Sequence, residues 1–388
     1  MPKLLIIPRQ DTAVGYYRQE LPARILRKLG YDVLFDLTVA GRRKPSLSGW
    51  LLNHSHEPID LFLTDRGASI AEVAGTPPQD NIPSQMGYAG FRDATGARML
   101  VDFDDDFLQL PPWNEAKKLF MPGMGHRMAG LAHLRLSEIT TVSTRELEAR
   151  FGPRTHAIRC APNYIDPDDW SGPINPARAA DPRLRILYAG AAGHYGDLNI
   201  VQTALGRILR NPPVPSRLIC FNAVPRWMHD IRRELPDRVV TLPWVPFYSN
   251  TPGYRRAVAW GGFDIAIAPL ADHPFNHCRS HIKFLEAACL GQAFIGSKVG
   301  PYADLPTDCA TIVDNTPQAW EAALVDLMTN PDRRASQTKR AREYVLDTWT
   351  LEQAKPVWSA IVETALSLPR IQTYEDTVVP LMDGHPTA

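Results

Sequence analysis

The stretch FDIAIAPLADHPFNHCRSHIKFLEAACLGQAFIGS, residues Phe263–Ser297, decides the fold of this chain. FDIAIAPL at its start has the continuous apolar character of a buried strand, and AFIGS at its end has it again. Between them the pattern predicts a helix that starts near Arg279 or Ser280 and turns an apolar stripe toward the sheet. A strand, a helix and a strand in this order are the repeating element of a parallel α/β sheet.

The first turns of this predicted helix carry polar side chains where a loop enters the helix. Ligands of open α/β sheets bind beyond the carboxyl ends of the strands, and a helix amino terminus attracts phosphate. Ser280 can bond a phosphate oxygen there, and Arg279 and Lys283 add positive charge. Glu286, one turn further, can accept hydrogen bonds from ribose hydroxyls. The same spacing is equally typical of a solvated amphipathic helix, so both interpretations stay open at this point.

The rest of the chain repeats the alternation of strands and helices in two blocks. Apolar strands that end in polar clusters are typical of parallel sheets covered by helices on both faces. We therefore predict two doubly wound α/β domains. The predicted domains are 1–170, a Pro- and Asp-rich linker at 171–183, a second domain at 184–348, and a helix with a tail at 349–388 that could pack back on the first domain.

Composition excludes some classes of protein and favours others. The 388 residues include 42 Lys and Arg against 42 Asp and Glu, so no global field favours nucleic acid or an anionic membrane, although a local basic patch stays possible. The five cysteines form no C-x-x-C pair, which favours reduced thiols in the cytoplasm, or in a host cytoplasm if the chain is phage-encoded. We expect no signal peptide and no transmembrane segment.

The order strand, loop, S-x-x-K-x-x-E, small residues, Gly, strand resembles the donor-site segment of GT-B glycosyltransferases, especially the retaining, family-four-like group. That family usually carries E-x7-E here, and its second Glu, which binds the nucleotide ribose, maps onto Glu286. The first Glu falls on Cys278, so the resemblance implies that Asn276 or His277 contacts the sugar instead. It also implies two Rossmann-like domains that face a cleft.

RILYAGAAGHYGDL, residues Arg185–Leu198, is similar to the strand and glycine-rich loop that open the nucleotide-binding domain of this family. Gly190 and Gly193 would let the backbone approach a diphosphate closely. Many relatives supply an Arg and a Lys from this loop, whereas His194 stands in that region here, so the phosphate charge would fall more on Arg279 and Lys283. CAPNYIDPDDW is similar to the family's interdomain hinge. DTAVGYYRQELPARIL resembles the loop after the first strand that closes over the donor or acceptor, and Gly15 and Arg18 are the residues carried over.

The acidic run VDFDDDF, Val101–Phe107, allows three interpretations. Asp102 and Asp104 form a D-x-D, which holds Mg²⁺ or Mn²⁺ in GT-A glycosyltransferases, but GT-A enzymes have one nucleotide-binding unit. In bacterial and phage GT-B relatives a similar run would face the cleft, where Asp104 or Asp105 could orient an acceptor hydroxyl or act as a base. The third interpretation is a strand-end cluster that caps the next helix. Crowding predicts a raised pKa for at least one of these carboxyls.

Two further groups of residues are weaker candidates. His273, His277 and His281 are spaced by four, but Pro274 interrupts the helix and no fourth zinc ligand is evident. The aromatic run PWVPFYSNTPGY either stacks on the nucleotide base or packs in the core.

The sequence predicts a glycosyltransferase that moves a sugar from a UDP- or GDP-sugar to an acceptor hydroxyl, with retention and without an obligatory metal. The expected acceptor is a glycan or a lipid-linked glycan. One alternative is a phage-type enzyme that glycosylates hydroxymethylated bases in DNA, favoured by basic residues, namely Arg24, Arg27, Lys28, Arg42, Arg43 and Lys44. Another is a non-catalytic nucleotide- or glycan-binding relative.

Overall fold

The computed structural model describes residues 1–7, 12–35, 58–65, 92, 95–190, 192–222, 224–243, 245, 247 and 253–371. Contacts divide the chain into two compact units. The first unit comprises Met1–Leu110, Ala116–Asn163 and Leu351–Ala388. The second comprises Pro111–Glu115 and Tyr164–Thr350, so a short segment from the first half of the chain belongs to the second unit.

The first unit is built on a parallel sheet that has six strands in the described part of the chain. The order across the sheet is β2-β1-β3-β4-β5-β6. The strands are β1 (Lys3–Ile6), β2 (Asp32–Leu34), β3 (Leu61–Asp65), β4 (Arg98–Phe103), β5 (Ile139–Val142) and β6 (Ile158–Cys160). Every residue of β3 and β5 is buried, as expected for parallel strands with both faces covered.

The second unit is built on another parallel sheet, again with six strands among the described residues. Its order is β12-β11-β10-β7-β8-β9, so the chain winds outward in one direction from β7 and in the other from β10. The strands are β7 (Leu184–Gly190), β8 (Ser216–Asn222), β9 (Val239–Leu242), β10 (Ile265–Ala268), β11 (Ala293–Ser297) and β12 (Thr311–Val313). The predicted architecture of two parallel α/β sheets is confirmed.

Helices connect the strands and form the outer layers of both units. In chain order the described α-helices are α1 (Ala13–Gly15), α2 (Leu21–Lys28), α3 (Gly125–Leu136), α4 (Arg145–Phe151), α5 (Tyr195–Asn199), α6 (Gln202–Arg210), α7 (Arg226–Glu234), α8 (Tyr254–Gly261), α9 (Pro274–His277), α10 (Ile282–Cys289), α11 (Pro317–Thr329), α12 (Pro331–Thr348) and α13 (Leu351–Ser367). A π-helical turn, Tyr16–Glu20, joins α1 to α2. No described helix is both long and apolar enough to span a bilayer.

The last helix, α13, belongs to the first unit although it follows the second unit in the chain. It packs against α2, and Lys28 Nζ of α2 lies 3.9 Å from Glu352 Oε1 of α13. Pro356 lies inside α13 and removes one backbone donor there. The chain therefore starts and ends its described part in the same unit.

The segment 171–183, predicted as an aperiodic linker, contains local structure. A 3₁₀ turn, Pro176–Arg178, lies within it, and another, Pro167–Trp170, directly precedes it. Arg178 forms two hydrogen bonds to the Asp264 carboxylate, at 3.0 and 2.8 Å. These contacts hold the segment on the second unit, whose longer part is Tyr164–Thr350.

Candidate nucleotide-binding site

The candidate site lies at the carboxyl ends of β7 and β10, where the strand order of the second sheet reverses. The helical segments that follow these two strands leave in opposite directions along the sheet, and such a point leaves a crevice where α/β proteins bind ligands. The predicted donor residue Gly190 ends β7, and Gly193 and His194 follow it. Asn276 through Glu286 follow β10. The fold thus brings together the two predicted donor-site segments.

Close packing explains the glycines of the loop after β7. A Cβ atom at Gly190 would lie 2.3 Å from the Tyr188 hydroxyl oxygen, and one at Gly196 would lie 2.3 Å from Trp113 Cδ2. A Cβ atom at Gly193 would lie 3.2 Å from Asn114 Nδ2. Trp113 and Asn114 belong to the segment 111–115, which therefore packs on this loop. Larger residues at 190 and 196 would have to displace an aromatic ring.

Directly after the loop, His194 is part of a buried hydrogen-bond network. His194 Nδ1 donates to Asp197 Oδ2 at 2.7 Å. The other oxygen of Asp197 accepts from the Ala271 backbone N–H and from the Asn276 amide, both at 2.8 Å. Burial raises the pKa of Asp197, but these hydrogen bonds and His194 outweigh it and hold that pKa below the usual value. The ionised carboxylate therefore ties the loop after β7 to the loop after β10.

The helix after β10 begins later than the sequence predicted. It runs over Ile282–Cys289 with His281 as its N-cap, so Arg279 and Ser280 lie in the connection between α9 and α10. The predicted start near Arg279 or Ser280 was wrong by two or three residues, because the short helix α9 and the connection after it occupy this part of the segment first. The Arg279 guanidinium lies 5.3 Å from the centre of the Phe275 ring.

Lys283, in the first turn of α10, is the most unusual group of the site. Its Nζ atom is buried and has no hydrogen-bond partner among the described residues. The ammonium lies 5.5 Å from the centre of the Tyr188 ring. Burial, and then the charge of Arg279, lower the pKa of Lys283 to about 8. Most of the Lys283 population is still charged at neutral pH, so the protein holds an unpaired, desolvated cation at the amino terminus of a helix.

Glu286 lies one turn beyond Lys283 and faces Tyr254 of α8. The Tyr254 hydroxyl is hydrogen-bonded to the Glu286 carboxylate, and burial together with this negative charge raises the pKa of Tyr254. The carboxylate also interacts electrostatically with Lys283, whose charged form it favours. Glu286 is half-buried, so part of the residue is accessible.

The remaining polar residues of the β10–α10 segment are placed differently. Asn276 is buried, and its amide nitrogen donates to Asp197 and to the Ala271 carbonyl, at 2.8 and 2.9 Å. His277 is exposed, and its Nε2 lies 2.7 Å from Asp272 Oδ1. Cys278 is buried. Of the two predicted sugar contacts, His277 has the accessible side chain and Asn276 has a structural partner for its amide.

The histidines of this segment do not form a metal site in the described part of the chain, where no group of three His, Cys, Asp or Glu could hold an ion. The His273 ring nitrogen accepts from the Phe275 N–H and caps α9. His281 packs edge-on against Trp349 with ring centres 4.2 Å apart, and burial lowers its pKa to about 4. These contacts account for the orientation of the two rings.

In the first unit, the acidic run that begins at the end of β4 has two buried and two partly exposed carboxylates. Asp102 receives two hydrogen bonds from Arg18, at 2.8 and 2.6 Å, and one from the Thr141 hydroxyl at 2.6 Å. The Asp106 Oδ2 atom lies 3.2 Å from Arg150 Nε. Burial raises the pKa values of both Asp102 and Asp106. Asp104 and Asp105 are partly exposed. They are therefore the members of the run whose positions allow contact with a ligand.

Arg18, predicted as a donor ligand, is fully engaged inside the first unit. Besides Asp102, its guanidinium donates to the Ala161 carbonyl at 2.6 Å and to Asn163 Oδ1 at 3.0 Å. The side chain is 1% exposed. Gly15 is buried in α1, where its N–H donates to the Thr12 hydroxyl at 3.3 Å. All three nitrogens of the Arg18 guanidinium donate inside the first unit, and four of its five N–H groups are used there.

Basic residues favoured the alternative of DNA glycosylation, and those that the structure describes form contacts with neighbouring protein groups. Arg24 pairs with Glu20, and Arg27 donates to the Val33 and Phe35 carbonyls. Arg42, Arg43 and Lys44 lie outside the described residues. Most of the aromatic run after β9 also lies outside them, although Phe247 stacks on Tyr254 with ring centres 5.8 Å apart.

Sequence reasoning missed three participants in the site. Asp197 carries the hydrogen-bond network, and it was not among the predicted donor residues. A signal was present, because an acidic residue that follows a glycine-rich loop by one turn needs a partner when it is buried. Trp113 and Asn114 come from the other half of the chain, and no local pattern links them to the loop after β7.

Comparison with solved structures identifies the fold. The chain superposes on sucrose-phosphate synthase from Thermosynechococcus elongatus with a TM-score of 0.65 at 15% identity, covering 94% of this chain and 98% of that one. It superposes on a glycosyltransferase from Rickettsia africae with a TM-score of 0.62 at 12% identity, covering 94% of this chain and 98% of that one. It also superposes on HepE from Anabaena in complex with UDP and glucose, with a TM-score of 0.58 at 13% identity, covering 95% of this chain and 100% of that one. No protein-family profile matches the sequence, and no curated protein does. The predicted GT-B glycosyltransferase fold is confirmed.

Proposed function

We propose that this chain, whose fold is that of the GT-B glycosyltransferases, moves a sugar from a nucleotide-diphosphate sugar to an acceptor hydroxyl. One observation carries the proposal: Lys283 holds a buried ammonium with no hydrogen-bond partner among the described residues, at a helix amino terminus beside a glycine-rich loop. A protein stabilises such a charge poorly by itself, so an anionic ligand is the expected partner. HepE, which shares the fold, has been crystallised with UDP and with UDP-glucose.

The roles of the site residues follow from their positions. Lys283, Arg279 and the first N–H groups of α10 would bind the diphosphate, and Ser280 could donate one further hydrogen bond. Gly190 and Gly193 would allow close approach of the backbone. Glu286 would accept from the ribose hydroxyls and the exposed His277 would contact the sugar.

The proposed chemistry is mainly electrostatic. Negative charge gathers on the diphosphate as the bond to the sugar breaks, and preorganised cations stabilise that charge more in the transition state than in the ground state. Lys283 and Arg279 therefore act on the leaving group. We assign Asp104 or Asp105 of the first unit to the acceptor hydroxyl, and we expect retention at the anomeric carbon and no obligatory metal.

A thermal-shift screen with UDP, GDP, ADP, UDP-glucose and GDP-mannose tests donor binding. A ligand that binds only the folded protein at 100 times its Kd stabilises it by about 2.7 kcal/mol, so a matching nucleotide should raise Tm by several degrees. Release of nucleoside diphosphate from the matching sugar donor then separates an enzyme from a non-catalytic binding protein. If no nucleotide changes Tm, the proposed donor site is wrong.

Replacement of Glu286 by alanine is expected to raise the donor KM about 10- to 100-fold, because a hydrogen bond to a charged group contributes about 1.5–3 kcal/mol. The turnover number should change little, since ribose contacts are made equally in the ground state and the transition state. Steady-state kinetics with the donor identified above provide the measurement. Glu363→Ala, at an exposed position on α13, is the matched control and should behave as wild type. An unchanged KM for Glu286→Ala would place the ribose elsewhere.

Modified DNA is a testable alternative acceptor. Binding to DNA through phosphate contacts weakens steeply with salt. Because the described basic residues of α2 are paired locally, we expect no DNA binding at about 50 mM salt in a mobility-shift assay. Salt-dependent binding would instead favour nucleic acid as the acceptor.

A further inference from the structure

His194 has one ring nitrogen held by a hydrogen bond, and its side chain is buried directly after the glycine-rich loop. The Asp197 carboxylate can only accept hydrogen bonds, so the proton between the two residues is assigned to His194 Nδ1, 2.7 Å from Asp197 Oδ2. Asp197 is itself fixed by the Ala271 N–H and by Asn276. The Nε2 atom of His194 has no hydrogen-bond partner in the described part of the chain. These hydrogen bonds therefore fix the orientation of the His194 ring.

The charges around His194 keep it neutral in the free protein. Burial, followed by repulsion from Lys283 and then Arg279, lowers the pKa of His194 to about 3, although Asp197 opposes this shift. These groups come from α10, from the connection before it and from α5. Two tyrosines nearby, Tyr188 and Tyr302, have pKa values raised by burial and stay neutral.

We propose that His194 takes up a proton when a nucleoside diphosphate binds, and that its Nε2–H then donates to a phosphate oxygen. The inference rests on the proposed function and deepens it, because it adds a third cation that exists only in the complex. The proton comes from bulk water, and no other bond forms or breaks. The Asp197 carboxylate, already in contact with Nδ1, stabilises the imidazolium.

The physical reason is a reversal of the local field. In the free site, Lys283 and Arg279 repel a proton on His194, and burial penalises its charge. A bound diphosphate adds two or more negative charges and compensates both cations, so the same ring now faces an anion on one side and Asp197 on the other. A histidine can respond within the physiological pH range, which an arginine or a lysine in this place would not do.

Linkage fixes the sign of the pH dependence. The complex binds one more proton than its free components, so nucleotide affinity should be higher at low pH. Above the pKa of His194 in the complex, that pH dependence should disappear for this group. Charge loss by Lys283, whose pKa is about 8 in the free protein, then lowers affinity further in alkaline solution.

Isothermal titration of UDP, with GDP in parallel, measures the proton directly. Titrations near pH 6 in two phosphate-free buffers with different ionisation enthalpies give the number of protons exchanged on binding. The terminal phosphate of UDP titrates near the same pH and loses its own proton, so the difference between variants is the relevant quantity. We expect wild type to take up about half to one proton more than His194→Gln, whose amide can donate a hydrogen bond but cannot titrate.

Two further variants complete the experiment. His229→Gln, at an exposed position on α7, is the matched control and should keep the proton uptake of wild type. Asp197→Asn removes the charge that stabilises the imidazolium and leaves one acceptor oxygen where Asp197 has two, so it should reduce the uptake. If UDP or GDP binds with equal proton exchange in wild type and His194→Gln, the inference is overturned but the proposed function stands. If no nucleotide of the thermal-shift screen binds at any pH, both are overturned.

Discussion

Replacing Lys283 by methionine is expected to lower kcat about 100-fold or more and, in the same protein, to raise its melting temperature. Loss of one preorganised charge stabiliser typically costs 10²–10³ in kcat. The free protein, however, should become more stable, because the buried Nζ has no hydrogen-bond partner among the described residues. Removing such an unsatisfied group stabilises a fold by about 1–3 kcal/mol. Methionine keeps the apolar stem of the side chain over Tyr188, so the change removes the charge and leaves the packing.

The two measurements are steady-state kinetics and a thermal melt without nucleotide. Lys298→Met, at an exposed position directly after β11, is the matched control and should leave both values unchanged. A variant that loses activity and also melts earlier would show that Lys283 stabilises the fold. If Lys283→Met keeps the wild-type kcat, Lys283 does not stabilise the leaving group.

Replacing Arg18 by alanine is expected to lower the free energy of unfolding of the first unit by about 3–5 kcal/mol. The substitution leaves Asp102 without its counter-charge, and an uncompensated buried carboxylate is costly. It also leaves the Ala161 carbonyl and Asn163 without a donor from the segment after β1. Urea denaturation monitored by circular dichroism gives the loss as a shift of the first unit's transition.

Matched variants distinguish a buried pair from a general effect of charge removal. In Arg18→Ala/Asp102→Asn the neutral amide needs no counter-ion and can still accept from Thr141, so part of the stability should return. Lys28→Ala removes an exposed partner 3.9 Å from Glu352 and should cost less than about 0.5 kcal/mol. If Arg18→Ala unfolds like wild type and instead raises the donor KM, Arg18 is a ligand after all, as first predicted.

The sequence predicted well those elements whose hydrophobic pattern is local and strong. The strands β7, β8 and β10 are nearly continuous apolar runs, and each is a buried strand in the structure. The helix α12 was not predicted, because its sequence is mostly polar and only three of its residues, Gln337, Ala341 and Val345, are buried. A helix that touches the core so sparsely leaves little periodic signal.

The start of α10 shows where a local pattern is insufficient. Ser280 and Arg279 have the composition of a helix start, yet α9 occupies Pro274–His277 and a connection follows it. The Pro274 at the beginning of α9 has the fixed backbone angle that suits a first helical position, which was a usable signal. Boundaries of this kind depend on which of two short helices packs better, and packing is not visible in the sequence.

The sequence by itself determined two parallel α/β units and the two segments, after β7 and after β10, that carry the candidate donor residues. It did so because strand and helix periodicities are local and because glycine, serine and basic residues cluster at the strand ends. Tertiary structure decided the state of each charged group: Arg18 satisfied by Asp102, Lys283 buried without a partner among the described residues, and His194 oriented by Asp197. Each of these states depends on desolvation and on partners distant in the chain, which only the packed fold brings within hydrogen-bond distance.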